Sequence, residues 1–115
     1  GRAAVALVET FGVGIDDILV VCDDFNLDLA RLRIRMGGSA GGQKGLLSIV
    51  EALGTQEVPR LRIGIGPLRG DPVDFVLTRF KRSESADMKE AVEKAAAACA
   101  VWVADGIDAC MNGYN

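Results

Sequence analysis

The sequence predicts an α/β fold, with residues 1–115 forming a single domain in which a mixed β-sheet is flanked by helices. Three observations lead there. Ile18-Leu19-Val20-Val21-Cys22 is a short β-branched run bounded by turn residues, the pattern of a buried central strand. Arg31–Met36 and Arg60–Ile63 alternate arginine with apolar residues at the period of a strand. Leu46, Leu47, Ile49, Val50 and Leu53 recur at the spacing of one helix face.

Taken in order, Ala3–Phe11 is apolar at nearly every position and reads as a buried helix or the end of one. A glycine-containing turn then leads through Asp16 and Asp17 into the first strand, which is expected to stop at Asp23-Asp24. Carboxylates just past the end of a buried strand stand where α/β proteins place their chemistry. In Arg31-Leu32-Arg33-Ile34-Arg35-Met36, strand geometry puts three guanidinium groups on one face and Leu32, Ile34 and Met36 on the other. Gly37-Gly38-Ser39-Ala40-Gly41-Gly42 connects this strand to the helix, which Gly54 should stop. The second arginine strand follows Pro59 and is expected to break into a loop at Gly64-Ile65-Gly66-Pro67. Asp74–Phe80 is read as a short helix. A long helix runs from about Glu84 to Ala104, with Ser83 or Ser85 as N-cap, Gly106 as terminator and Glu90–Lys94 as an outward ion pair. Val92, Ala95, Cys99 and Trp102 mark its inner face, with Trp102 as a core anchor.

Composition narrows the function. Half the residues are hydrophobic and 25% are charged, ordinary globular values. No membrane-spanning stretch or signal peptide is legible. The first residue is Gly1, which leads us to expect further sequence upstream. Three cysteines without Cys-x-x-Cys spacing argue against a disulfide framework or a zinc site and fit a reducing cytoplasm. Cys22 and Cys99 read as small buried hydrophobes. There is no histidine, so this chain alone cannot build a Ser-His-Asp triad, a Cys-His pair or a histidine metal site.

The net charge is −3, yet residues 31–69 carry seven basic and two acidic side chains, leaving −8 for the remainder. Such a basic segment (Arg31, Arg33, Arg35, Lys44, Arg60, Arg62, Arg69) on an acidic chain points to a polyanion bound at one face. The glycine loop can offer backbone N–H groups to phosphate, but Gln43 and Gly45 replace the Lys and Ser/Thr of a nucleotide-binding P-loop. Asp24, Asn26 and Asp28 mimic a calcium loop only at its start, since Leu29 and Arg35 occupy its glycine and glutamate positions. Asp23 and Asp24, adjacent in a strand, should face opposite ways and so not share a proton.

Ile18–Val21 with Asp23-Asp24 and Asn26-Leu27, then Gly37–Gly42 with Gly45-Leu46 and Ser48-Ile49, resemble the bacterial-type peptidyl-tRNA hydrolase family. Leu53-Gly54-Thr55-Gln56, Pro59–Gly66, Met111-Asn112 and Tyr114-Asn115 continue the likeness in the same order. Gly1-Arg2-Ala3 looks like the tail of the family's Met-Asn-x-Ser-Gly motif, so the catalytic histidine and two asparagines are expected upstream. The resemblance implies a three-layer α/β/α domain that cleaves the ester between a peptide and the 3′ end of tRNA, as a cytoplasmic monomer without cofactor or metal. It assigns Asp23 to orienting the histidine, Arg35 and Arg62 to tRNA phosphates, and Gln43, Lys44, Gly41 and Gly42 to the substrate near the scissile bond. Gln43-Lys44 departs from the family's usual His-Asn. The chain as given should not turn over alone, because a carboxylate with a reference pKa of ~3.9 is a weak base near neutrality. Two other readings stand beside this one: a non-catalytic RNA-binding relative, as in plant-organelle intron splicing, and a small-anion-binding module.

Overall fold

The computed structural model of the chain describes residues 1–67, 70–71 and 82–115. The helix expected over Asp74–Phe80 and the arginine at 69 lie outside these residues. The elements are α1 (Arg2–Phe11), a 3-10 turn (Ile15–Asp17), β1 (Val20–Asp28), β2 (Leu32–Arg35), α2 (Lys44–Leu53), β3 (Arg60–Gly66), α3 (Arg82–Asp105) and α4 (Ile107–Tyr114). The sheet has the order β1-β3-β2, with β1 parallel and β2 antiparallel to β3.

Side-chain parity turns this sheet into the middle of three layers. Leu32 and Ile34 of β2 and Leu61 of β3 pack against Ala95, Ala98 and Cys110 of α3 and α4. On the other face, Val20 and Cys22 of β1 meet Leu46 and Val50 of α2, together with Ala40 and Val58. The mixed sheet flanked by helices is therefore as the sequence predicts. α2 also runs as expected, and Gly54 ends it in the left-handed region at φ 74°, its N–H bonding back to Val50 and Glu51.

Several elements differ from expectation. α1 buries no residue, and Phe11 is 71% exposed, so its apolar run is not a core helix. β1 is the edge of the described sheet and β3 its centre, which leaves Val21 half-exposed. Nor does β1 end at Asp23-Asp24; it continues to Asp28 through an irregularity in its pairing with β3. Met36 lies past β2 and is exposed, and Arg31 precedes the strand. Cys22 and Cys99 are only half-buried. In α3, Ser83 and Ser85 lie inside the helix and cannot cap it. Its buried line is Ala91, Ala95 and Ala98, with Cys99 and Trp102 packed beside it and Val92 exposed. Gly106 ends α3 as predicted, and Lys94 pairs with Glu90 at 3.2 Å.

β3 passes through Gly64 and Gly66 where a loop was expected. A Cβ at Gly64 would collide with the Asp28 carbonyl oxygen, and one at Gly66 with that of Phe25. Glycine in this strand reflects close approach by the irregular end of β1, not a break. At the other edge, the Asn115 side chain closes β2. Its Oδ1 accepts from the Ile34 N–H at 2.6 Å, and its Nδ2 donates to the Ile34 carbonyl at 3.0 Å.

Arg60 is the main correction. Counted from sequence in the solvent-facing basic strand, it is fully buried. Its guanidinium donates to four backbone carbonyls: Val58 at 2.9 Å, Gly38 at 2.7 Å, Ser39 at 2.9 Å and Gln56 at 2.7 Å. Burial, and then the charge of Arg62, lower its pKa, but arginine stays protonated near neutrality. Its charge is thus compensated by carbonyl dipoles from the glycine loop and the α2–β3 connection.

Three outcomes follow from this packing. Gly64→Ala should cost about 3 kcal/mol or more in urea unfolding, because the obstacle is backbone. Arg60→Leu should cost roughly 3–5 kcal/mol by orphaning buried carbonyls, and Arg60→Lys should recover only part of that, since one ammonium cannot reach all four. The Cys110 thiol is buried and its pKa is raised by burial and then by Cys99 from the ordinary 9.0. Above that value the unfolded state loses the proton while the folded state keeps it. Stability therefore falls as pH rises past 9.0, and Cys110→Ala should lessen the decline in a pH-dependent melting series.

Candidate active site

The glycine loop reaches α2 through three glycines in the left-handed region, Gly38 (φ 120°), Gly41 (φ 64°) and Gly42 (φ 100°). A side chain would strain each of them. Gln43 is the N-cap of α2, and its Oε1 accepts from the Leu46 N–H at 2.7 Å. Its Nε2 donates to Oδ1 of Asp23 at 2.9 Å. One carboxamide thus joins the start of a helix to a carboxylate in β1. Asp23 and Gln43 line an open cleft of about 510 Å³, together with Val20–Cys22, Gly45, Leu46, Ser48, Ile49 and Gly1.

Asp24 takes a different partner. It pairs with Arg62 at 3.6 Å, both side chains being less than one-fifth exposed. Its other oxygen accepts from the Asn26 N–H at 2.8 Å. The two aspartates are thus separately engaged. Arg62 also donates to the Ser39 carbonyl at 2.8 Å, and its Nε is buried without a partner among the described residues. The Cys22 thiol lies on the same face. Burial raises its pKa, while the nearby charge of Arg62 opposes this and that of Asp23 adds to it.

The basic residues divide by register. In the antiparallel pair, Arg33 stands opposite Arg62 and Arg35 opposite Arg60, so all four share the sheet face under the glycine loop. Arg33 and Arg35 are exposed; Arg60 is internal. Gly41 sits against the Arg62 guanidinium, where a Cβ would lie 3.5 Å from it. Lys44 opens α2 and is exposed, next to the Gln43–Asp23 bridge. The structure thus brings Asp23 and Gln43 into hydrogen-bond contact, puts Gly41 beside Arg62, and places Gly42 and Lys44 at the same helix entrance. Arg35 remains on the outer strand.

Sequence reasoning missed the roles of Asp24, Arg60 and Gly45. The period-two pattern put Arg60 and Arg62 on one face, but nothing in it separates the buried one from the rimward one. Gly45, where a Cβ would be 3.1 Å from Gln43 Oε1, leaves space for the glutamine to fold back.

The peptidyl-tRNA hydrolase family profile matches residues 1–115. The chain is 47% identical over 115 residues to a peptidyl-tRNA hydrolase of Syntrophomonas wolfei, covering all of this chain and 63% of that protein. Against the one from Rhodopirellula baltica it is 43% identical over 117 residues, covering all of this chain and 62% of the relative. The crystal structure of peptidyl-tRNA hydrolase from Acinetobacter baumannii superposes with a TM-score of 0.87 at 27% identity, covering 97% of this chain and 58% of that one. The chain therefore spans about three-fifths of the length of these relatives. With the whole of its length matched and its fold shared, this chain belongs to the peptidyl-tRNA hydrolase family.

Proposed function

We propose that the protein to which this chain belongs hydrolyses the ester joining a peptide to the 3′-terminal ribose of tRNA. The observation that carries the reading is Asp23 at the cleft, with Oδ1 held by Gln43 and Oδ2 without a hydrogen bond among the described residues, a carboxylate that can orient an imidazole. A histidine so oriented can take a proton from water and be stabilised as imidazolium by the carboxylate. This chain contains no histidine, so the reading places the base in the remainder of the family's length. Asp23 acts through that histidine and not as a base itself.

Arg35 and Arg62 are assigned to tRNA phosphates. Arg35 is exposed, and the partly exposed Arg62 stands opposite Arg33 in the same basic strand pair. The helix entrance at Gly41, Gly42 and Lys44 is assigned to the acceptor end, where a cation and a helix N-terminus both favour phosphate. Among the described residues no helix is long and apolar enough to cross a membrane. A monomer acting in the cytoplasm completes the proposal.

The test uses the complete protein and peptidyl-tRNA. Asp23→Ala should lower turnover about a hundredfold or more with tRNA affinity unchanged. Arg35→Ala and Arg62→Ala should each weaken tRNA binding and reduce the slope of log affinity against log salt by about 1. Retained turnover in Asp23→Ala would remove its role, and unchanged affinity in both arginine variants would remove the phosphate assignment. A wild-type protein that binds tRNA without cleaving the ester would put the non-catalytic RNA-binding reading first.

A further inference from the structure

We propose that Gln43 is a positioning residue for Asp23, fixing the carboxylate that orients the catalytic histidine; this rests on the function proposed above. Two hydrogen bonds set the orientation of its carboxamide. Oε1 is taken by the Leu46 N–H at 2.7 Å, so the group facing Asp23 is the amide nitrogen, 2.9 Å from Oδ1. Reversing the amide would set nitrogen against N–H and oxygen against carboxylate, breaking both contacts. The helix cap therefore dictates which end of Gln43 meets Asp23.

The choice of side chain supports the same conclusion. Ser, Thr, Asp and Asn are the favoured N-caps, and glutamine is not among them. What glutamine adds is length, enough to cap α2 and still reach a carboxylate 20 positions away in another element. Gly45 accommodates this arrangement inside the helix, where glycine is otherwise unfavourable, because a Cβ there would lie 3.1 Å from Oε1 and 3.7 Å from Nε2. With Oδ1 engaged, rotation of the Asp23 carboxylate is restricted at the wall of the cleft. Gln43 thus acts through Asp23, in contrast to the substrate contact that the family resemblance assigns to its position.

Two substitutions separate capping from positioning. Gln43→Asn keeps a favoured cap but is one methylene too short to reach Asp23. Gln43→Glu keeps an oxygen for the Leu46 N–H and puts a carboxylate against Asp23. In the complete protein, Gln43→Asn should lower kcat roughly tenfold to a hundredfold, as small misplacements of catalytic groups do. KM and Tm should stay near wild type. Gln43→Glu should lower kcat at neutral pH, and its deficit relative to wild type at the same pH should shrink as pH falls, where the facing carboxylates share a proton. Unchanged kcat in both variants overturns the proposal. So does a raised KM at constant kcat, the signature of a substrate contact, or a loss of kcat in Gln43→Asn that only parallels a loss of Tm. Should the wild-type protein not cleave peptidyl-tRNA, the functional reading fails by itself. The 13C shift of the Asp23 carboxyl carbon then decides the positioning claim: a shift altered by Gln43→Asn upholds the contact, and an unaltered one overturns it.

Discussion

Arg60 is a buried cation without an ion-paired carboxylate among the described residues, and the glycine loop depends on it. Removing a guanidinium from water is costly unless its donors are met. Here four carbonyls meet them, two from the loop and two from the α2–β3 connection. A loop made largely of glycine loses much backbone freedom on folding. The arginine offsets that loss by drawing Gly38 and Ser39 onto the central strand. α2 begins where this loop ends, so the cap at Gln43 and its reach to Asp23 inherit their position from a residue outside the cleft.

Two neighbouring pairs show how alternation along a strand divides labour. Arg60 and Arg62 share a face, yet one is internal and the other sits at a rim with Asp24 and the Ser39 carbonyl. Asp23 and Asp24 are neighbours, yet each has its own partner across the β1–α2 and β1–β3 junctions. Ser39 joins the two arginines, its carbonyl accepting from both. The ion-paired guanidinium of Arg62 and the carbonyl-bound one of Arg60 thereby stand two residues apart with one shared acceptor.

The features legible in the sequence were those set by local chemistry. The helix over Lys44–Leu53 follows from its apolar spacing and Gly54, and β2 from the strict alternation through Leu32 and Ile34. The family likeness was equally legible, because Asp23 and the glycine loop stand in an ordered series of motifs covering the chain. Features set by distant parts of the chain were hidden. Gly64 and Gly66 read as a break because nothing local reveals the backbone of β1 pressing on them. Arg60 read as solvent-facing because its acceptors lie up to 22 positions away. The extension of β1 past Asp24 comes from pairing with β3 and not from its own polar residues, which disfavour strand.

The Asn115 side chain does for Ile34 what a neighbouring strand would do. A peptide unit on a neighbouring strand would offer Ile34 one donor and one acceptor, and the carboxamide of Asn115 supplies both. An aspartate in place of Asn115 would turn the donor into a second acceptor. Two oxygens would then confront each other across the outer edge of the sheet. A single side-chain amide nitrogen thus bears on whether β2 stays closed to another chain's backbone.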